Sequence, residues 1–168
     1  FTADEVPKPE KLEKLYMLWM DSLPEDAAKE VKKLYKNRKN EGLDLWITKP
    51  RKAEWLAQNL ENPFRSWDGE EHITPANAKK AADLYRKTRA AVVKLVEGPS
   101  HSFEKDVENL VRDYTEGFNK MDRKKPFIDT VERDEVFTAL DGILSLIPDE
   151  LDVDKDKLID LFDQLKEF

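Results

Sequence analysis

The sequence predicts an all-α protein. Apolar residues recur at spacings of three and four along most of the 168 residues, and no alternation of period two competes with them. Prolines and glycines divide the chain into pieces of helical length. We expect an up-down bundle of about four helices over 1–98, with an extended leader, followed by a smaller unit of about three helices over 99–168.

The first two predicted helices follow the leader. Residues 1 to 9 carry two prolines among charged residues, so we expect them to run extended until a helix begins near Glu10. Ser22 and Glu25 have the spacing of a capping box, and the second helix continues to about Lys39. The apolar stripe of the first helix is Leu12, Leu15, Tyr16, Trp19, Met20 and Leu23.

A connector, a third helix and a long loop come next. Residues 43 to 47 are apolar, and because a lone strand would have no partner we expect them to tuck against the bundle. The third helix opens at Thr48 and Pro50 and stops at Pro63. A loop of about 14 residues follows, longer than the usual four to six.

Four more helices are predicted in the rest of the chain. Thr74 as cap and Pro75 in the first turn begin the fourth helix, which ends at Gly98-Pro99-Ser100. We place the domain boundary at that break. A fifth helix follows it, Thr130 caps a sixth, and a seventh comes after Pro148.

Composition excludes several classes of function. The chain has no cysteine, two histidines and a net charge of −7, and no nucleophile and base, metal cluster or glycine-rich phosphate loop stands out. We therefore expect no enzyme, no cofactor and no nucleic-acid ligand, since phosphate binding needs a basic face. No apolar stretch reaches the roughly 20 residues of a membrane span. The chain begins at Phe1, which favours a processed product or an excised fragment.

Five aspartates near the end of the chain have part of a calcium-loop spacing. Position 6 of that register is Lys157 instead of glycine, and position 12 is an aspartate instead of the longer glutamate. The same acids explain the capping and first turn of a final helix equally well. The weak calcium candidates are Asp152, Asp154, Asp156, Asp160 and Asp163.

Two groups of residues are the candidates for partner contact. Aromatic residues in connectors, with an arginine beside them, are typical of interface centres, although they can also fold back against the bundle ends. A basic group can bind an acidic partner or complement a helix C-terminus. The candidates are Trp46, Phe64, Arg65 and Trp67, then Lys120, Arg123, Lys124 and Lys125.

The stretch from Ala78 to Gly98, AKKAADLYRKTRAAVVKLVEG, resembles the closing helix of PsbQ-type extrinsic subunits of photosystem II. Thr88-Arg89-Ala90, Asp113-Tyr114 and Thr138-Ala139-Leu140 are similar to fragments of a small four-helix lumenal protein that assists assembly of the same complex. The resemblance implies a non-catalytic protein of the thylakoid lumen that docks on the lumenal face of photosystem II and supports the oxygen-evolving centre.

Two alternatives stay open. Trp19 in LYMLWMDSLPED, followed by Pro50 and Trp55 in KPRKAEWLAQNL, is similar to the helical W-and-Y modules of secreted oomycete effectors, which bind host proteins. The tyrosine expected after the second tryptophan is missing, and Gln58 stands near that place. A helical lipid carrier is the third possibility and would need a lined internal cavity.

Overall fold

The computed structural model describes residues 8–9 and 14–168. The chain divides into two compact units, Phe1–Glu61 and Asn62–Phe168. In the described ranges there are seven α-helices and one two-stranded parallel sheet. The prediction of a mostly helical protein is confirmed, but the all-α class is wrong because of that sheet. Most of the predicted leader lies outside the described residues.

The first unit, over its described residues, contains both strands and three short helices. Its strands pair in parallel, with Met17 opposite Asp44, and the two helices between them form the crossover that parallel pairing requires. The elements in chain order are β1 (Met17–Asp21), α1 (Glu25–Leu34), α2 (Lys36–Asn40), β2 (Asp44–Thr48) and α3 (Ala53–Asn59).

Strand β1 replaces the described part of the first predicted helix, and β2 replaces the predicted connector. Residues 15–20 read LYMLWM, an unbroken apolar run that fits a helical stripe and an alternating strand equally well. The prediction that residues 43 to 47 form no strand is wrong, because residues 44–48 pair with β1 across the crossover. Pairing between distant segments decided the conformation where local periodicity could not.

The inner face of the sheet packs on α1 and the residue that follows it. Side chains along β1 alternate between exposed and half-buried, and Leu18 and Met20 point inward. They meet a small core whose buried members include Val31 and Tyr35. Leu45 and Ile47 of β2 pack on the same core. One face of the sheet is therefore covered within this unit.

A residue in the left-handed region directly follows each strand. Ser22 has φ 53° and Lys49 has φ 45°, and the amide of Ser22 donates to the carbonyl of Thr48 at 3.1 Å. Helix α1 begins after Pro24 without a side-chain cap, and the Ser22 hydroxyl donates instead to Asp21. The predicted capping box at Ser22 is therefore wrong.

The second unit holds the four longest helices. Helix α4 packs on α5 and α6, and α5 packs on α7, so α4 belongs with the C-terminal helices. The structure thus divides the chain at Glu61 and Asn62, whereas the sequence placed the boundary at 98–100. The helices are α4 (Pro75–Glu97), α5 (Phe103–Asp122), α6 (Thr130–Leu144) and α7 (Lys155–Leu165).

Side-chain caps fix the start of three of these helices. The Thr74 hydroxyl accepts from the amide of Asn77 at 3.1 Å, which confirms the predicted cap of α4. Asp129, one residue before the predicted cap, forms a capping box with Glu132 at the start of α6. Asp154 caps α7. Capping residues therefore located helix starts to within one residue here.

The core of the second unit is aromatic at its centre. Phe118 on α5 lies 4.9 Å from Tyr114 and 5.4 Å from Phe64, measured between ring centroids. The Tyr114 hydroxyl donates to the carbonyl of Val136 at 3.0 Å, which ties α5 to α6. Burial raises the pKa of Tyr114 well above its ordinary value, since the phenolate would lose its hydration.

Candidate interaction surface

The outer face of the N-terminal sheet exposes two tryptophans side by side. Trp19 on β1 is 72% exposed and Trp46 on β2 is 57% exposed, and the two residues are direct partners in the register. Met17, one alternation before Trp19, is also exposed. We call Met17, Trp19 and Trp46 the tryptophan face.

Hydrogen bonds hold the Trp19 ring in place. Its indole Nε1 donates to the Thr48 hydroxyl at 3.3 Å, and that hydroxyl donates to Asp21 Oδ1 at 2.6 Å. The second oxygen of Asp21 accepts from the Ser22 hydroxyl at 2.9 Å. Because the exposed ring is anchored across the two strands, a partner that covers it has less side-chain entropy to remove.

The tryptophan face has the chemistry of a protein-binding surface. Parallel sheets are usually covered on both faces, and in the described part of this unit only the inner face is covered. Tryptophan is among the residues that dominate interface energies, because it combines a large apolar area with an N–H donor. Asp21 and Asp44 place carboxylates beside the rings. This arrangement can bind an apolar partner patch with donors around it.

The strand edges add main-chain donors and acceptors. Within the described residues no third strand pairs with either edge of the sheet. An edge strand presents unpaired amides and carbonyls to which an extended segment of a partner can add. The same short sheet therefore offers an aromatic face and two backbone edges.

Of the predicted aromatic contacts, Trp46 is exposed and two others are not. Phe64 and Trp67 are each 1% exposed and lie in the core of the second unit, so the expectation that they form a contact surface is wrong. The alternative, that they fold back against the ends of a bundle, is confirmed only in that both are buried, since they lie in the helical core of the second unit. Arg65 between them is exposed on a short 3-10 turn. Trp46 belongs to the other unit.

A half-buried carboxylate explains why the polar end of the Trp67 ring can turn inward. Its indole N–H donates to Glu135 Oε2 at 2.5 Å, and the Ser66 hydroxyl donates to the other oxygen at 3.2 Å. The Phe64 amide donates to the Asn62 side chain at 3.0 Å, which shapes the turn that inserts both rings. The polar end of the indole is thus satisfied and the ring can be fully buried.

The predicted basic group is exposed at the end of α5. Lys120, Lys124 and Lys125 lie on the surface, and Arg123 bonds Glu116 and Glu167. Hydrogen bonds from Arg123 lower the pKa of both carboxyls. Arg123 therefore ties α5 to the C-terminal segment, while the lysines remain candidates for contact.

The aspartates of the calcium register have other roles. Asp154 accepts from the amide of Lys157 at 3.0 Å as the cap of α7, and Asp163 pairs with Lys166 at 2.6 Å. Asp152 sits in the left-handed region with φ 50° at the end of a 3-10 turn. Over residues 8–9 and 14–168 no group of three or more metal-ligating side chains is placed to hold an ion. The capping interpretation accounts for Asp154.

The two histidines have separate surroundings. His72 Nε2 lies 3.0 Å from Glu132 Oε1, at the rim of a cavity of about 620 Å³ that also borders residues 126–131. Glu132 itself completes the capping box of α6, which engages its other oxygen. His101 is exposed just before α5. The His72 pair is therefore a structural contact at a helix start.

Trp19 was not among the predicted contact residues, because the sequence pattern placed it on the buried stripe of a helix. The signal that marks it is a repeated dipeptide, since Leu18-Trp19 and Leu45-Trp46 are each followed within five residues by a proline. Both copies form strands that end in the same left-handed turn. Comparing those two segments would have paired them.

No protein-family model, curated protein or solved structure matches this chain. Among the described helices none is both long enough and apolar enough to cross a membrane. The fragments that resemble photosystem II subunits lie on α4, α5 and α6, and Thr88, Tyr114 and Leu140 within them are buried. Those matching positions are core positions, so the resemblance bears on helix packing, and the partner it implies stays a prediction.

Proposed function

We propose that this chain is a non-catalytic binding subunit that docks on a larger protein assembly through the tryptophan face. The observation that carries the proposal is the exposure of Trp19 and Trp46 as direct partners on an uncovered sheet face. Large apolar side chains anchored on the surface are expensive to leave in water, and a partner that covers them recovers that free energy.

The gain from covering the two rings is large enough to act as a hot spot. A buried tryptophan removes roughly 200 Å² from water, and Trp19 and Trp46 are 72% and 57% exposed. Covering both thus buries roughly 260 Å², which contributes about 6 kcal/mol at 25 cal/mol per Å² before the costs of association. Two residues of this kind commonly supply most of an interface's affinity.

The assembly that we propose is taken from the resemblance alone. Its fragments on α4, α5 and α6 point to the extrinsic subunits of photosystem II, and on that basis we propose docking on the lumenal face, stabilisation of the oxygen-evolving centre and a location in the thylakoid lumen. The tryptophan face lies in the other unit and does not depend on this resemblance. The two parts of the proposal can therefore fail separately.

The effector alternative has lost part of its basis. That similarity rests on helical modules, whereas Trp19 lies on β1 and its ring is exposed. It predicts unrelated host partners, recovery from a secreted fraction and no affinity for photosynthetic membranes. Fractionation therefore distinguishes the two proposals.

A co-sedimentation assay tests both parts. Photosystem II membranes washed free of extrinsic subunits are mixed with the wild-type chain, with Trp19→Ala/Trp46→Ala, and with Leu60→Ala as a control at another exposed apolar residue of the same unit. We expect saturable binding of the wild type and of the control, and at least a tenfold loss for the double variant with an unchanged circular dichroism spectrum.

Each part of the proposal has its own contrary result. Failure of the wild type to bind these membranes contradicts the assembly. Membrane binding that the double variant retains in full contradicts the tryptophan face. Rescue by Trp19→Phe/Trp46→Phe would show that aromatic area is what the partner recognises.

A further inference from the structure

A groove runs between α4 and α5 of the second unit. We propose that it takes an acidic peptide segment with an apolar anchor residue. The cavity has a volume of about 540 Å³, within the range of ligand sites, and both helices line it. Its floor is apolar and its rim is cationic, and a segment with an apolar anchor and acidic flanks matches both.

The floor is formed by Leu84 of α4 against α5. A Cβ built on Gly117 would lie 2.4 Å from Leu84 Cδ2, so the absence of a side chain at Gly117 lets that leucine approach α5 closely. Met121, 7% exposed, continues the floor one helical turn further along α5. Leu84 is only half-buried. A shallow apolar floor of this size suits a single inserted side chain.

The rim carries ammonium groups from both sides of the groove. Lys80 extends from α4, and Lys124 follows the end of α5. Neither has a carboxylate partner among the residues that the structure describes, whereas Lys120 lies 3.7 Å from Glu116 and Arg123 is bonded to Glu116 and Glu167. The groove therefore presents two uncommitted cations beside its apolar floor.

The helix dipole accounts for the cations at the C-terminal end of α5 but not for Lys80. Lys120 lies in the last turn of α5, where a cation is favourable. Lys80 lies near the beginning of α4, away from its C-terminus, so it gains nothing from that dipole. Charge complementarity to an anionic partner is the role that Lys80 and Lys124 share.

The same surface selects a peptide over a polyphosphate chain. Nucleic acid would leave the apolar floor uncovered, because its phosphates would meet only the lysines of the rim. A helical peptide with leucines on one face and glutamates beside them covers the floor and meets the lysines at once, as in other recognition of helices by grooves.

The test uses a fluorescein-labelled helical peptide of leucines flanked by glutamates and the full chain. Lys80→Glu/Lys124→Glu reverses the two rim charges, and Lys79→Glu/Lys105→Glu makes the same change in net charge at exposed lysines of α4 and α5 that do not line the groove. We expect saturable binding by fluorescence anisotropy, about a tenfold weaker Kd for the rim variant and less than a twofold change for the control. Replacing the leucines of the peptide by serines weakens binding similarly.

Several results would overturn the site. No saturable binding of the wild type, equal weakening by both variants, or equal affinity for the serine peptide each contradicts it. Binding of phosphatidylglycerol vesicles that depends on Lys80 and Lys124, without peptide binding, would reassign the groove to lipid. Trp19→Ala/Trp46→Ala leaves peptide affinity unchanged if the two surfaces are independent, so this site and the tryptophan face are tested apart.

Discussion

Trp67→Ala distinguishes a core residue from a contact residue more sharply than any other single change. Trp67 is 1% exposed, and its ring lies 4.7 Å from Phe64, 6.2 Å from Phe118 and 5.7 Å from Phe127 between centroids. Removing a buried tryptophan costs about 3–5 kcal/mol through lost burial and the cavity left behind. The upper part of that range applies here, because three aromatic contacts and the bond to Glu135 are lost together.

The free energy of unfolding that Trp67→Ala is expected to lose is large enough to measure by urea unfolding. Small domains are stable by about 5–15 kcal/mol, so a loss of about 5 kcal/mol removes a third or more of that margin. Urea unfolding followed by far-ultraviolet circular dichroism reports the helices of the second unit. Trp67→Phe keeps a six-membered ring in the core but removes the N–H that bonds Glu135 and part of the buried apolar area, which should together cost about 1.5–3 kcal/mol. Trp46→Ala, at a 57% exposed site, should stay within about 0.5 kcal/mol.

The order of stability of these variants shows whether Trp67 is a core residue. We expect Trp67→Ala to be the least stable, then Trp67→Phe, with Trp46→Ala close to the wild type. An unfolding free energy of Trp67→Ala within about 1 kcal/mol of the wild type would mean that its ring is not part of the core. A loss at Trp46 as large as that at Trp67 would mean that the tryptophan face is covered.

Three further changes test other contacts. Tyr114→Phe removes the hydrogen bond to the Val136 carbonyl and should lower the free energy of unfolding in urea by about 0.5–1.5 kcal/mol. Because the pKa of Tyr114 is raised in the folded state, the wild type should lose stability above pH 10, where an unfolded tyrosine ionises. Tyr114→Phe should reduce this loss at high pH. Arg123→Gln should lower Tm at pH 7 and have less effect as pH falls below about 4.5. The pKa of Glu116 is lowered by Arg123, so this pair stabilises the fold only while the carboxyl is ionised. An effect on Tm that is constant with pH would contradict this. Thr74→Ala should cost about 1 kcal/mol by removing the α4 cap, whereas Thr74→Ser should cost little.

The helices of the second unit were predictable because their signals are local. Thr74 and Pro75 mark the start of α4 by a cap and a fixed φ, and both act within one turn of the chain. The apolar stripe of α5 has a single period and admits no other reading. Local signals were sufficient to predict a helix wherever only the helical period matched the apolar pattern.

The sheet and the tryptophan face were not predictable by the same means. The run from Leu15 to Met20 is apolar at every position, so its period is undefined, and the strand forms because residues 44–48 lie opposite it. Exposure of Trp19 then follows from its place on the outer side of the pleat. Burial of Trp67 likewise depends on Glu135, which lies 68 residues away in the chain. Both outcomes rest on contacts between distant segments.

Radical footprinting of the chain bound to washed photosystem II membranes shows whether the tryptophan face is the surface that meets the partner. Oxidation of each tryptophan is measured by mass spectrometry in the free and bound chain, and buried Trp67 serves as the internal reference. The tryptophan face predicts that Trp19 and Trp46 are oxidised readily in the free chain and are protected on binding. Bound chain in which both rings remain as reactive as before would contradict it.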